Sequence, residues 1–263
     1  PDELFFNSNV GVVSCIMVFT AKRSQPKDKK IFFGYYKDDG FVKRKNKGRI
    51  DAYDKWQAIK GNWIRAFLNK EDIPGLSVTR VVAPEDEWCA EAYMETDYFS
   101  LSKNIFEENI LLYVSFELQN RIITKVSDEP SEDINLQLNI NRWKYFSLTD
   151  LFTISASRDE LMEDLTQGGT TPYITSSDSN NGTTSYVEEE QTNPSGTITA
   201  NRGGSVGYFY YQPIPYKATP VDVRILTPKF KINTCLGLFL KTILQLEKYR
   251  YNYSRKMGSD RLA

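Results

Sequence analysis

The chain has 263 residues, of which 40% are hydrophobic and 25% are charged, and its formal net charge is −1. This length and apolar content allow one large domain or two small ones with separate cores, and we favour two. The sequence contains no histidine, which excludes a Ser-His-Asp triad, a Cys-His pair and any metal bound by imidazole.

Three cysteines, Cys15, Cys89 and Cys235, are odd in number and widely separated. We therefore predict buried free thiols and no metal site, instead of a disulfide framework. No apolar run approaches the roughly 18 residues of a membrane helix, and the start of the chain lacks a signal-peptide pattern. These features predict a cytoplasmic protein without membrane contact.

Charge is segregated along the chain despite the nearly neutral total. Residues 22–49 hold eleven Lys/Arg and three Asp, residues 85–133 hold thirteen acids and three bases, and residues 241–261 hold six bases and two acids. Such segregation is typical of a protein with one surface directed at phosphate. The basic run at the end of the first segment contains Lys43, Arg44, Lys45, Lys47 and Arg49. We predict that this run contacts nucleic-acid phosphate, with a solvated loop as the alternative.

The first elements alternate between strand and helix patterns. A continuous apolar run at residues 10–21 predicts a buried strand that pairs with a second run at 30–36. From residue 51, Tyr53, Trp56, Ile59, Trp63 and Phe67 recur at helical spacing. This aromatic stripe is more typical of core packing than of a base-stacking platform.

The middle of the chain predicts an edge strand at residues 75–83 and then a long helix capped by Ser102. Its apolar positions form a broad face, comprising Ile105, Phe106, Ile110, Leu112, Tyr113, Phe116 and Leu118. Residues 127–133 have no apolar anchor and read as a linker. We therefore predict two domains, residues 1–134 and 135–263.

The second domain begins with short β-prone runs separated by Gly, Asn and Ser clusters, which indicates hairpins with exposed loops. The runs are at residues 172–176, 184–187, 196–200, 205–211 and 221–226. Asn180, Asn181 and Gly182 tolerate positive φ and can close the first pair, and Gly203-Gly204 can close another. A final helix is predicted within residues 233–253. The fold class is therefore α+β, with a small twisted β-rich domain ending in a helix.

The order of these motifs resembles the target-recognition domain of type I restriction-modification specificity subunits. The resemblance covers residues 140–263 and rests on linked segments: the opening at 143–152, the TPYITSS run, the Asn-Asn-Gly turn, residues 196–199, the Gly-rich stretch 203–207, the aromatic run 208–211, the ATPVDVRIL strand and Leu238-Phe239-Leu240 in the last helix. It implies a module that reads a short DNA sequence for an adenine methyltransferase.

Residues 1–70 resemble the last strands of an adenine-N6 DNA methyltransferase core, so the N-terminal strands and helices would complete a methyltransferase-type sheet. The Gly-rich turn that such enzymes use for S-adenosylmethionine and their Asn-Pro-Pro-Phe or Asp-Pro-Pro-Tyr motif do not occur in this sequence. The resemblance therefore implies no catalytic residue and no cofactor in this chain. S-adenosylmethionine is expected in a catalytic domain or subunit outside it, which is one expected partner, together with double-stranded DNA and, in some such systems, a restriction nuclease subunit.

Loop-tip residues are the candidates for contact with base edges. They are Ser176, Ser177, Asn180, Asn181, Thr183, Tyr186 and Arg202. Two other functions remain open at this point. One is a sugar- or peptide-binding β module with an aromatic face from residues 208–211 and Tyr216, and the other is an enzyme that uses Glu188, Glu189 and Glu190.

Overall fold

The computed structural model describes residues 14–44, 47–122 and 138–262, and the chain forms two compact units, Pro1–Asp97 and Tyr98–Ala263. The division falls at Asp97, whereas the predicted boundary near residue 135 and the predicted linker lie outside the described residues. The second unit begins earlier than the predicted boundary because the helix at Lys103–Gln119 packs against the long helix at Thr234–Leu246. Phe106 and Phe239 stack across this contact, with ring centroids 5.6 Å apart.

Among its described residues, the first unit contains four short strands and one α-helix. These are β1 (Ile31–Gly34), β2 (Val42–Arg44), β3 (Gly48–Ile50), α1 (Trp56–Asn69) and β4 (Ser77–Arg80). β1 pairs antiparallel with β4, and β2 pairs antiparallel with β3. The strands predicted at 30–36 and 75–83 are confirmed, as is the helix. That they complete a methyltransferase-type sheet stays a prediction.

The prediction of a buried strand at residues 10–21 is wrong for the part of that run that the structure describes. Residues 14–20 form no strand, and the side chains of Ile16, Val18 and Phe19 are exposed. Apolar side chains are buried only where another element covers them, and the predicted partner β1 pairs instead with β4. The strand within residues 30–36 therefore pairs with a strand that lies more than forty residues later in the chain.

Helix α1 packs its aromatic stripe as predicted. Trp63 stacks on Phe67 with ring centroids 6.0 Å apart, and Phe32 of β1 meets Phe67 edge to face at 5.5 Å. Trp56 contacts the ring of Phe41 in the same way. Tyr53 is the exception, because it precedes the helix and is largely exposed. The stripe therefore serves the core of the first unit.

The second unit contains two sheets and four helices among its described residues. These are α2 (Lys103–Gln119), α3 (Leu148–Leu151), β5 (Phe152–Ala156), β6 (Gln167–Ile174), β7 (Thr183–Val187), β8 (Thr197–Asn201), β9 (Phe209–Gln212), β10 (Lys217–Ala218), β11 (Val223–Pro228), α4 (Thr234–Leu246) and α5 (Ser259–Leu262). One sheet has the order β5-β11-β8-β9, and the other has the order β10-β6-β7. The predicted mixed α and β fold with a small β-rich domain is confirmed.

The four-stranded sheet has one apolar face, and its other face combines apolar residues such as Val223 with buried polar groups. The apolar face packs on α2 and α4 in one core, formed by Tyr113, Phe116, Phe152, Ile198, Ala200, Phe209, Tyr211, Leu226, Leu244, Met257 and Leu262. On α2 only Tyr113 and Phe116 are buried, whereas Leu112 and Leu118 of the predicted broad face are exposed. The opposite sheet face carries buried polar groups, such as Thr199, whose hydroxyl accepts from Gln212 Nε2 at 2.9 Å.

None of the three cysteines, all of which lie in the described ranges, forms a disulfide, and the prediction that they are buried is wrong. Cys15 and Cys235 are exposed, and Cys89 is half-buried. Their apolar neighbours in sequence suggested burial, but Cys15 lies in the uncovered run and Cys235 lies in the first turn of α4. No helix in the described ranges is long and apolar enough to cross a membrane.

Candidate nucleic-acid interface

Three loops of the second unit meet at one end of its sheets, and we call this end the rim. It comprises Ser176, Ser177, residues 201–205, Asp222 and Arg224. The Nδ2 group of Asn201 donates to the Ser177 carbonyl at 2.7 Å, and the amide of Ser205 donates to the Ser176 carbonyl at 3.0 Å. These bonds join the loop after β6 to the turn after β8. Ser176 and Ser177 are therefore held beside the turn that carries Arg202, and their role as recognition residues stays a prediction.

Glycine is required at the tightest point of the rim. The amides of Arg202 and Gly203 both donate to the carbonyl of Asp222, at 2.7 and 3.3 Å. A Cβ atom at Gly203 would lie 1.9 Å from the Asp222 carboxylate oxygen. The predicted Gly-Gly turn is confirmed, and its first glycine permits this close approach.

Residues 180–186 are braced more strongly than the sequence suggests. Asn180 and Asn181 have φ values of 48° and 53°, which confirms the predicted turn. The Asn181 side chain donates to the carbonyl of Tyr211 on β9 at 2.9 Å. Thr183 is only 3% exposed. Asn181 and Thr183 therefore have structural roles in this conformation, so Ser176, Ser177 and Arg202 are the better candidates for contact with DNA.

Asn120, immediately after α2, connects that helix to the 180–186 segment. Its Nδ2 group donates to Asn180 Oδ1 at 2.9 Å and to the Phe116 carbonyl at 2.8 Å. Its Oδ1 atom accepts a hydrogen bond from the Tyr186 hydroxyl at 2.6 Å. Burial raises the pKa of Tyr186, so this hydroxyl stays protonated and donates. One amide thus holds two of the predicted site residues in place.

Replacement of this residue, Asn120→Ala, should loosen the segment. The groups that bond to the Asn120 side chain would lose those hydrogen bonds while they are still partly shielded from water. We therefore expect the free energy of unfolding to fall by about 1–2 kcal/mol. Urea unfolding should show this loss, and amide hydrogen exchange at residues 176–186 should become faster. Asn104→Ala is the matched control, because Asn104 lies exposed at the start of the same helix. Equal exchange in both variants would contradict the bracing role.

The basic run of the first unit is a β-hairpin. Lys43 and Arg44 lie on β2, Lys47 follows the turn, and all three are exposed, whereas Lys45 lies outside the described residues. Arg49 on β3 differs, because its guanidinium forms a bidentate ion pair with Asp39 at 2.7 and 2.8 Å. Burial alone would raise the pKa of Asp39, but the hydrogen bonds from Arg49 lower it. Arg49 therefore stabilises the hairpin base in this structure.

The aromatic run does not form a binding face. Phe209, Tyr210 and Tyr211 are buried in β9, and Tyr216 has no exposed surface at all. This burial removes the basis of the sugar- or peptide-binding alternative, since such modules present their aromatic rings to solvent. The alternative remained open in the sequence because a run of consecutive aromatic residues does not reveal that both faces of its strand are covered. Glu189 of the acidic run accepts from the Thr166 amide at 2.8 Å and so closes a loop.

Asp159 is the most densely hydrogen-bonded carboxylate of the second unit, and it was not predicted. It accepts from the hydroxyl of Ser157 at 2.8 Å, from Asn193 Nδ2 at 2.8 Å and from the Ala218 amide at 2.7 Å. The Thr192 hydroxyl also donates to it, and Lys217 Nζ lies 3.7 Å away. Burial alone would raise the pKa of Asp159, but these hydrogen bonds lower it. The carboxylate thus joins three chain segments.

A scaffold of two small sheets that holds polar loop tips at one rim is the arrangement of a recognition domain. Residues 140–262 match the family described as the type I restriction modification DNA specificity domain. This part of the chain is therefore similar to the DNA specificity domain of restriction-modification systems.

Two curated relatives come from Heyndrickxia coagulans. The chain is 25% identical over 160 residues to the specificity subunit S.BcgI of a type II restriction enzyme, covering 56% of this chain and 46% of that subunit. It is 30% identical over 110 residues to the type II restriction enzyme and methyltransferase RM.BcgI, covering 41% of this chain and 17% of that protein. This chain thus spans less than half the length of either relative.

A solved structure, the type I restriction-modification S subunit from M. genitalium, aligns with 56% of this chain and 37% of its own. The sequence identity is 16%, and the TM-score is 0.34.

Proposed function

We propose that this chain recognises a short sequence of duplex DNA on behalf of an adenine-N6 DNA methyltransferase. The rim is the observation that carries the proposal. It places Ser176 and Ser177 beside the turn that carries Arg202, on loops whose backbones are joined by hydrogen bonds from Asn201 and Ser205. Hydroxyl groups can donate to or accept from any base edge, and a fixed backbone lets them discriminate.

Backbone contacts would come from a different surface, the basic hairpin of the first unit. Lys43, Arg44 and Lys47 are exposed, with Lys45 beside them in sequence. Lysine and arginine on a hairpin can neutralise phosphates without reading sequence, which strengthens binding to all DNA alike. Base contacts at the rim would thus determine sequence specificity, whereas phosphate contacts at the hairpin would add affinity for any DNA sequence.

The methylation chemistry would be supplied outside this chain. The sequence has no Gly-rich turn leading into a helix and no Pro-Pro motif for an adenine amino group. We therefore infer that S-adenosylmethionine binds to a methyltransferase catalytic domain or subunit that works with this chain. The names of the curated relatives support such a partner and, in systems that cleave DNA, a restriction nuclease subunit.

Selection from a randomised duplex library tests the proposal directly. The wild-type chain should enrich one short motif. Ser176→Ala with Ser177→Ala should change the selected motif at one or two positions, since a good base contact is worth about 1–3 kcal/mol of discrimination. The hairpin variant, Lys43→Ala with Arg44→Ala and Lys47→Ala, should keep the motif. It should weaken binding to every sequence and reduce the salt slope by about 0.9 per lost phosphate contact.

Lys103→Ala is the control for loss of one surface charge, because this lysine is 87% exposed at the start of α2. It should leave both the motif and the slope unchanged. The proposal fails if the wild-type chain enriches no motif, or if the hairpin variant changes the motif and the serine variant does not.

A further inference from the structure

Arg202 and Arg224 direct their guanidinium groups at the same point of the rim. Arg202 follows β8, and its Nη1 atom donates to the Val221 carbonyl at 3.3 Å. Arg224 lies on β11, and its Nη1 atom lies 3.4 Å from the same carbonyl and 3.1 Å from that of Val223. One side chain comes from the turn after β8 and the other from strand β11, and the two converge on one oxygen.

Nothing of opposite charge in the described ranges pairs with either guanidinium. Neither arginine has a carboxylate within 4.0 Å, and the Asp222 side chain is packed beside Gly203. Two like charges this close repel each other, and partial burial strengthens the repulsion because water screens it less. Burial and the neighbouring charge of Arg202 lower the pKa of Arg224, while Asp222 partly opposes this. An anion bound between the two groups would remove the repulsion.

We propose that Arg202 and Arg224 together bind one phosphate group of the DNA backbone, an inference that rests on the proposed function. Arginine is suited to phosphate because its planar donors match the phosphate oxygens. Each Nη2 group has no hydrogen-bond partner in the part of the chain that the structure describes, so each can donate to one oxygen. Arg224 is flanked across the sheet by Ala156 and Ala200, whose small side chains do not cover its guanidinium.

The same geometry argues against a role for Arg202 in recognising the base edge of guanine. Recognition of guanine needs two donors of one arginine side by side on the O6 and N7 atoms. In both arginines Nη1 is already engaged by a main-chain carbonyl, and the Nε atom is buried without a partner. Among the described residues, Nη2 is the nitrogen of each side chain that is neither buried without a partner nor bonded to a main-chain carbonyl, and it carries two N–H groups. Two Nη2 groups that approach one point from two arginines suit the several oxygens of one phosphate better than a base edge.

A shared phosphate makes a quantitative prediction for the full chain on duplex DNA. Arg202→Gln and Arg224→Gln should each reduce the salt slope of binding by about 0.9, and the double variant should show about the same reduction, since only one phosphate is lost. Arg224→Lys keeps the charge and should retain most of the slope. The motif selected from a randomised library should be unchanged in all of them. Arg158→Gln, an exposed arginine of the same unit, should change nothing.

Three results would overturn the inference. One is an unchanged slope in either single Gln variant that retains the wild-type circular dichroism spectrum. Another is a double variant that loses about twice the slope of a single one, which would indicate two separate phosphates. The third is an altered motif, which would assign these arginines to base reading. A wild-type chain that binds DNA but selects no motif refutes the proposed function alone, and absence of all DNA binding refutes both.

Discussion

Asp159→Ala should lower the free energy of unfolding of the second unit by about 3–5 kcal/mol, as expected when one partner of a buried charged network is removed. The substitution would leave the Ala218 amide without its Asp159 acceptor, and the Asn193 side chain would keep only the Thr192 hydroxyl and the Tyr216 carbonyl as acceptors. It would also leave Lys217, which is 4% exposed, with Glu160 as its remaining partner. Because Asp159 connects the loop after β5 to β10, we expect β10 to separate from β6. Chemical denaturation followed by circular dichroism measures the effect.

The control for this prediction is Asp164→Ala, an exposed aspartate nearby that should change stability by less than about 0.5 kcal/mol. The pH dependence gives a second readout. The folded-state pKa of Asp159 is lowered, so its contribution is present above the usual carboxyl pKa of about 4 and is lost as pH falls through the lower folded value. Asp159→Asn should therefore lose less stability than the wild type on acidification. Equal acid sensitivity would contradict the assigned network.

Gly237→Ala should destabilise the same unit by about 2 kcal/mol, although alanine is the better helix former. Gly237 lies in α4, where it packs on the ring of Tyr211 in the core. An added Cβ atom would lie 2.3 Å from the Cδ2 atom of that ring. Overpacking of a core costs about 1–3 kcal/mol or more, which exceeds the gain of up to about 1 kcal/mol in helix propensity.

Gly61→Ala in α1 is the matched variant, because nothing lies within 4 Å of its Cβ position. There the propensity gain should act alone and stabilise the first unit by up to about 1 kcal/mol. Opposite signs for the two Gly→Ala changes are the expected result in thermal unfolding. Two changes of the same sign would mean that α4 moves away from β9 to accept the methyl group.

Local patterns were sufficient to predict most elements of the second unit. The β-prone runs between Gly, Asn and Ser clusters are strands, and Asn180 and Asn181 adopt the positive φ that their turn requires. These features depend on neighbouring residues only. Pairing over long distances was not predictable in the same way. β1 pairs with β4, and β10 pairs with β6 in parallel. The two strands of each pair are far apart in sequence, and local patterns do not identify such partners.

The candidate site shows the same limit. Ser176, Ser177 and Arg202 were predicted from their turns, and the structure brings them together. Arg224 was not predicted, because within β11 it reads as one polar residue of an alternating strand. Asn120 was missed because its partners are about sixty residues away. Only three-dimensional contact could reveal its role.

The bonds that fix the rim end on main-chain carbonyls, namely those of Ser176, Ser177 and Asp222. A carbonyl is present whatever side chain its residue carries. Under the proposed function, a substitution at Ser176 should therefore alter the groups offered to DNA while the loop keeps its path, whereas at Ser177 it would also remove the bond that the Ser179 amide donates to the hydroxyl. For evolution, or for a designer, this would separate the choice of target at Ser176 from the problem of folding. New specificities would then be sampled at this position without compensating changes in the scaffold.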